Sequence, residues 1–333
     1  MKHKKVTEYD YSFAVAKVRA NEVGLLTSAD IEQLISAENY GSALRVLEEK
    51  GWISSEDDDV SVALKMQMEK AWQLIAEVAP DISVFDFLIV KNDFHNIKAA
   101  LKTLVTANAL GLDLGGMDNL MAPSLADPEQ VREAVLNKDF DALPDFAKAA
   151  AEEAYEVLAR TTDGQLADIM LDSYYLNTSL EMAEKTKDSF IIKLAELICA
   201  TANIRIAFRA ARMGKDRQFL ETALCNAKSL DRRALANAAA GGMDELISFI
   251  AATPYGEAAD FMRASSAALE KWCDDIIMSH LESAKYVSLG VRPLIAYYLA
   301  KDAEVKNVRI ILSCKHNHFP QEVIRERVRK LYA

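Results

Sequence analysis

Apolar residues along this chain recur at steps of three and four. In residues 191–212, Ile191, Ala195, Ile198, Ala202 and Ile206 form one stripe, with Lys193, Glu196, Arg205 and Arg209 off it. That spacing predicts an amphipathic α-helix. Residues 62–79, 145–160, 259–286 and 293–312 follow the same pattern, and no six-residue stretch alternates with period two. Helix starts are marked as well. Thr27-Ser28-Ala29-Asp30 offers capping hydroxyls and a first-turn acid, and Pro320-Gln321-Glu322 puts proline and acid where a last helix begins. The predicted fold class is all-α.

The pattern also repeats. Asn96-Ile97-Lys98, Asn203-Ile204-Arg205 and Asn307-Val308-Arg309 each lie mid-helix between apolar runs, 107 and 104 residues apart. Upstream of each stands an aromatic beside a small or acidic residue: Asn39-Tyr40, Asp139-Phe140 and Pro254-Tyr255. Two ordered cues at one period predict three similar helical units, 1–112, 113–225 and 226–333. Asparagine is a poor helix former. Its threefold recurrence at Asn96, Asn203 and Asn307, with Lys98, Arg205 and Arg309 two places on, predicts a repeated structural hydrogen bond between packed helices. The breaker-rich stretch 111–130 is the expected first joint and 214–242 the second.

Composition narrows the function. The 333 residues include only 12 Gly and 7 Pro, which suits long helices. Length alone suggests two domains, which the repeat raises to three units. A net charge of −11 argues against a nucleic-acid partner. The longest run free of Asp, Glu, Lys and Arg is 246–256, too short to span a bilayer. The apolar run 13–16 after the basic start is too short for an export signal. Cys199, Cys225, Cys273 and Cys314 are too widely spaced for a C-x-x-C site and read as reduced thiols.

Catalytic chemistry finds no foothold. There is no G-x-G spacing. Gly214-Lys215 lacks the rest of a phosphate-binding loop, so no direct nucleotide binding is expected. No H-E-x-x-H or G-x-S-x-G occurs. Glu56-Asp57-Asp58-Asp59 reads as a solvated helix start. Cys314-Lys315-His316-Asn317-His318 has soft-ligand chemistry, but its place before Pro320 favours an exposed loop over a metal site. No cofactor and no metal are expected. What stands out is a basic stripe, Arg205, Arg209 and Arg212 on one helix face, and a second group at Arg325, Arg327 and Arg329. Both are candidate docking patches for an acidic partner, with pairing to the chain's own surplus acids as the competing reading.

Three stretches carry a resemblance. They are Tyr11-Ser12-Phe13-Ala14-Val15-Ala16-Lys17-Val18-Arg19-Ala20, then Pro293 to Leu312 around Asn307-Val308-Arg309, then Pro320-Gln321-Glu322-Val323-Ile324-Arg325-Glu326-Arg327. Together they resemble the C subunit of the V-type and A-type rotary ATPases and ATP synthases, known in eukaryotes as the d subunit. The likeness spans the chain, and Ser313-Cys314-Lys315-His316 departs from it. It implies three helical units about a pseudo-threefold axis, forming a funnel. It implies a non-catalytic central-stalk role, with the D and F axle proteins on one side and the membrane rotor ring of proteolipid subunits on the other. It also implies a peripheral position on the cytoplasmic face of the membrane during ATP-driven ion transport or ATP synthesis. The alternative is a helical-repeat scaffold of an unrelated assembly.

Overall fold

A computed structural model describes residues 6–55, 59–110, 119–161 and 163–333. Every regular element among them is helical. In chain order they are α1 (Ser12–Glu22), α2 (Ser28–Ser36), α3 (Tyr40–Glu49), α4 (Val60–Val78), α5 (Asp86–Leu110), α6 (Pro128–Leu136), α7 (Lys148–Thr161) and α8 (Gly164–Thr186). There follow α9 (Ser189–Arg212), α10 (Arg217–Ala223), α11 (Arg232–Ala240), α12 (Met243–Ala251), α13 (Ala258–Ala264), α14 (Ser266–Leu281), α15 (Arg292–His316) and α16 (Gln321–Arg327). The all-α expectation is met. The periodic stretches 62–79, 145–160 and 293–312 correspond to α4, α7 and α15. The stretch 259–286 does not form one helix, because the Ser265 hydroxyl accepts from the Ala268 N–H at 3.0 Å and starts α14 afresh. A serine that bonds the backbone this way trades helix continuity for a cap.

Packing divides the chain into two compact units. The first joins residues 1–82 to 260–333, and the second holds 83–259. In the first, Leu34, Leu44 and Leu47 of α2 and α3 pack with Trp52 and with Val308 and Ile311 of α15. In the second, Val90, Phe94, Ile97 and Leu101 of α5 meet Val131 and Val135 of α6, with small Ala150, Ala151 and Ala154 on α7. Each fully buried Leu, Val or Phe contributes about 1.5–3 kcal/mol, and alanine lets neighbouring helices approach closely. Packing and sequence repeat are therefore different divisions of the same chain.

Three nine-residue helices recur at matched places. α2, α6 and α11 are N-capped by Thr27, Asp127 and Asp231, whose side chains accept from the N–H of Asp30, Gln130 and Ala234. Thr27 and Asp30 complete a reciprocal capping box. Asn39 and Asp139 follow these caps at one common spacing, and Gly242, the N-cap of α12, falls one residue short of it. Pro254-Tyr255, the expected third member, lies further along. Of the acidic run, Asp59 caps α4 by accepting from Ser61 and Val62, while Glu56, Asp57 and Asp58 lie outside the described residues. So do residues 111–118 of the expected first joint.

Candidate docking surface

Asn96, Asn203 and Asn307 are completely buried in the long helices α5, α9 and α15. Asn96 donates to the Met121 carbonyl at 3.0 Å and accepts from the Met121 N–H at 2.7 Å. Asn203 does the same with Cys225, at 2.9 Å for each bond. Asn307 does so with Arg329, at 3.0 and 2.8 Å. A carboxamide offers one donor and one acceptor on one side, matching the N–H and C=O of a single extended residue. The partner is thus a non-helical segment rather than a packed helix. The clamped positions 121, 225 and 329 are spaced at 104 and 104 residues. In the first two cases the helix cap, Asp127 or Asp231, follows six residues later.

Acids reinforce each clamp. Asp93 accepts from the N–H groups of Leu125 and Ala126 at 2.9 and 2.8 Å, and burial pushes its carboxyl above the ordinary range despite those bonds. Glu196 accepts from the Ser229 N–H at 2.7 Å and from its hydroxyl at 2.5 Å. Asp274 and Asp275 of α14 hold Arg329 and the Lys330 N–H at 2.8 and 2.6 Å. The residues two places after each asparagine are not equally exposed. Lys98 pairs with Asp172, Arg205 is half-buried and Arg309 is exposed.

The two arginine groups differ in their surroundings. Arg209 and Arg212 lie at the end of α9, both exposed, with Arg212 5.8 Å over the Phe208 ring. The helix stops at Gly214 (φ +62°), where the Lys215 N–H reaches the Ala210 carbonyl at 3.0 Å and the Gly214 N–H reaches Ala211 at 3.3 Å. A left-handed residue here favours glycine, so Gly214-Lys215 is a helix stop. Beyond it, Arg217, Glu221, Asn226, Asp231, Arg232 and Arg233 line an open polar cleft of ≈ 670 Å³. Arg217 pairs with Glu221 at 2.7 Å and Arg232 donates to Asn226 at 3.0 Å. At the C-terminal end, Arg325 pairs with Glu32 and holds that carboxyl below its usual range. Arg327 lies 5.0 Å over Phe319, and Arg329 pairs with Asp274. These three are engaged within their own unit.

The Cys314 segment is an exposed turn only at its end, Asn317 and His318. α15 runs through His316, and both Cys314 and Lys315 are buried. Lys315 donates to the carbonyls of Ile35 (2.9 Å) and Ala37 at the end of α2, where the helix dipole favours a cation. Burial lowers the Lys315 pKa. His316 meets Tyr40 edge-on at 5.7 Å. Among the described residues no group of three or more His, Cys, Asp and Glu is placed to hold a metal ion. None of their helices is long and apolar enough to cross a membrane. A second buried ionic site, Lys301 to Glu304 at 2.6 Å, has Glu304 also accepting from the Leu26 N–H and Lys301 5.3 Å over Trp52. Sequence reading missed it, although Lys301 and Glu304 stand at i, i+3.

Repeated asparagine clamps, side-chain caps and charged helix ends define an all-helical repeat protein. The chain belongs to the ATP synthase (C/AC39) subunit family, whose pattern it matches over residues 14–327. It is 24% identical to the C subunit of the V-type sodium ATPase of Enterococcus hirae, over 95% of this chain and 97% of that one. It is 26% identical to the C subunit of the A-type ATP synthase of Methanocaldococcus jannaschii, over 95% and 85%. It is also 26% identical to the C subunit of the A-type ATP synthase of Haloferax volcanii, over 90% and 91%.

Proposed function

We propose that this chain is a non-catalytic central-stalk component of a V-type or A-type rotary ATPase. It couples the D and F axle proteins to the membrane proteolipid ring, at the cytoplasmic face, during ion transport or ATP synthesis. The family match over nearly the whole chain carries this reading. The thrice-repeated clamp supports it, since a body that passes torque needs stiff, close-packed joints. Three units of about 105 residues, bounded near 112 and 225, fit the clamp spacing. We take the end of α9, with Arg209 and Arg212, as a candidate docking point for an acidic partner.

Purified chain should bind the D/F pair and cap a detergent-solubilised rotor ring, with no ATP hydrolysis on its own. Failure to associate with either overturns the assignment. Reversing Arg205, Arg209 and Arg212 to Glu together should weaken one of these contacts with helicity unchanged. Normal assembly of that variant would leave the stripe a solvated face.

A further inference from the structure

Each asparagine-bearing helix carries a pair of short helical segments on its flank, and one of the three pairs comes from a distant part of the chain. α6 and the 3₁₀ turn after it follow the segment clamped at Met121, and Val131 and Val135 share a core with Phe94 and Ile97 of α5. α11 and α12 follow the segment clamped at Cys225 and pack on α9. On α15 the same place is taken by α2 and α3, whose Ile31, Leu34 and Leu44 share a core with Val305, Val308 and Ile311. Hydrogen bonds keep the correspondence. Asp93, three residues before Asn96, accepts from the Ala126 N–H just ahead of the Asp127 cap. Glu304, three residues before Asn307, accepts from the Leu26 N–H just ahead of the Thr27 cap. Clamp and cap thus share one strand at α5 and α9, but belong to separate strands at α15.

α15 also differs from its counterparts in what it buries. Lys301, Glu304 and Lys315 are buried there, where the same register puts Val90, Asp93 and Leu104 on α5 and Leu197, Ala200 and Ala211 on α9. Buried charge is costly unless it is bonded, and these charges are bonded around α2 and α3. Glu304 holds Leu26 ahead of α2. Lys301 pairs with Glu304 at 2.6 Å and lies 5.3 Å over Trp52, beyond α3. Lys315 donates to the Ile35 carbonyl at 2.9 Å and to that of Ala37 at the end of α2. We propose that Lys301, Glu304 and Lys315 form a latch that replaces the chain linkage of the other two pairs and lets α2 and α3 swing off α15 and return. Where clamp and cap share a strand, a short tether recloses any opening. At α15 no such tether acts, so opening needs only the latch bonds and the apolar contact to yield. α4, edge-on to α15 through Trp72 and Tyr298 at 5.9 Å, stays in place. The latch does not rest on the rotary assignment.

Hydrogen–deuterium exchange of the full chain, read by mass spectrometry, tests it. Amides of α2 and α3 should exchange faster than those of α6 and α11, and with a weaker dependence on urea, the mark of local opening. Lys315→Met keeps the side chain's length but strands two carbonyls, so exchange in α2 and α3 should rise about tenfold, with α6 and α11 unchanged. Glu304→Gln keeps an acceptor for Leu26 but leaves Lys301 without its counter-charge, and should speed exchange in the same two helices alone. Equal protection of α2, α6 and α11 in the parent overturns the proposal. So does a variant that speeds α6 and α11 as much as α2 and α3, or leaves α2 and α3 unaffected. Global unfolding of both variants overturns it too, since the three residues would then hold the whole fold.

Discussion

α9 and α15 carry the same buried asparagine but surround it differently. In α9 the support is local: Glu196 on the same helix holds Ser229, four residues past clamped Cys225. Asn203, Cys199 and Cys225 are all fully buried there. Cys225 donates from Sγ to Asn203 at 3.3 Å, and the hydrogen bond to Cys225, with burial, holds the Cys199 thiol far above its ordinary value. In α15 the clamped residue brings its own charge. Arg329 and Lys330 reach across to Asp274, Asp275 and Glu282 on α14 and the turn after it. One clamp closes a helix onto its own following segment, while the other ties in a further helix with ion pairs. The same carboxamide geometry serves both, and the surroundings set how much each depends on it.

The largest effect should come from Asn203→Leu. It strands the N–H and C=O of fully buried Cys225, at about 1–3 kcal/mol for each group, for a loss of about 4 kcal/mol in urea unfolding. Asn307→Leu should cost about 2 kcal/mol, because Arg329 is half-buried and water can reach its backbone. Equal losses would break the comparison. Next in size, Asp274→Ala should cost about 1–2 kcal/mol through the charge-assisted bond to Arg329, and a cycle with Arg329→Ala should show coupling of about 1 kcal/mol. Glu196→Gln keeps an acceptor for Ser229 and should cost less than Asp274→Ala. The reverse order would mean that the α9 clamp, too, depends on charge.

The helices and the asparagines are legible in the sequence because both are local signals: a period, and a residue type out of place in a helix. The clamps' partners are not, since Met121, Cys225 and Arg329 meet the asparagines through backbone alone, and backbone leaves no trace in a sequence. Arg329 shows the same limit from the other side. As a cation near the C-terminal end it looks like Arg212, yet Asp274, 55 residues away, absorbs it. Lys315 reads as solvated because it stands before histidines and a proline. Only the fold brings the carbonyl end of α2 to its ammonium.

The smallest effect separates two acids of opposite tuning. Asp30 is lowered to about 2, chiefly by the Lys50 ammonium and against a burial effect, with the Thr27 cap contributing. Its stabilisation is present above the unfolded value and is lost as pH falls from about 4 toward 2. Asp93 is raised by burial, so the folded state holds its proton more tightly than the unfolded chain does. Stability from this group is greatest below the ordinary aspartate range and falls as pH rises through the raised value. Subtracting the urea stabilities of Asp30→Asn and Asp93→Asn from the parent's at each pH should therefore give difference curves of opposite slope. A flat curve for Asp93→Asn would mean that the N–H groups of Leu125 and Ala126 offset its desolvation. The first clamp's acid would then be no costlier to ionise than an exposed one.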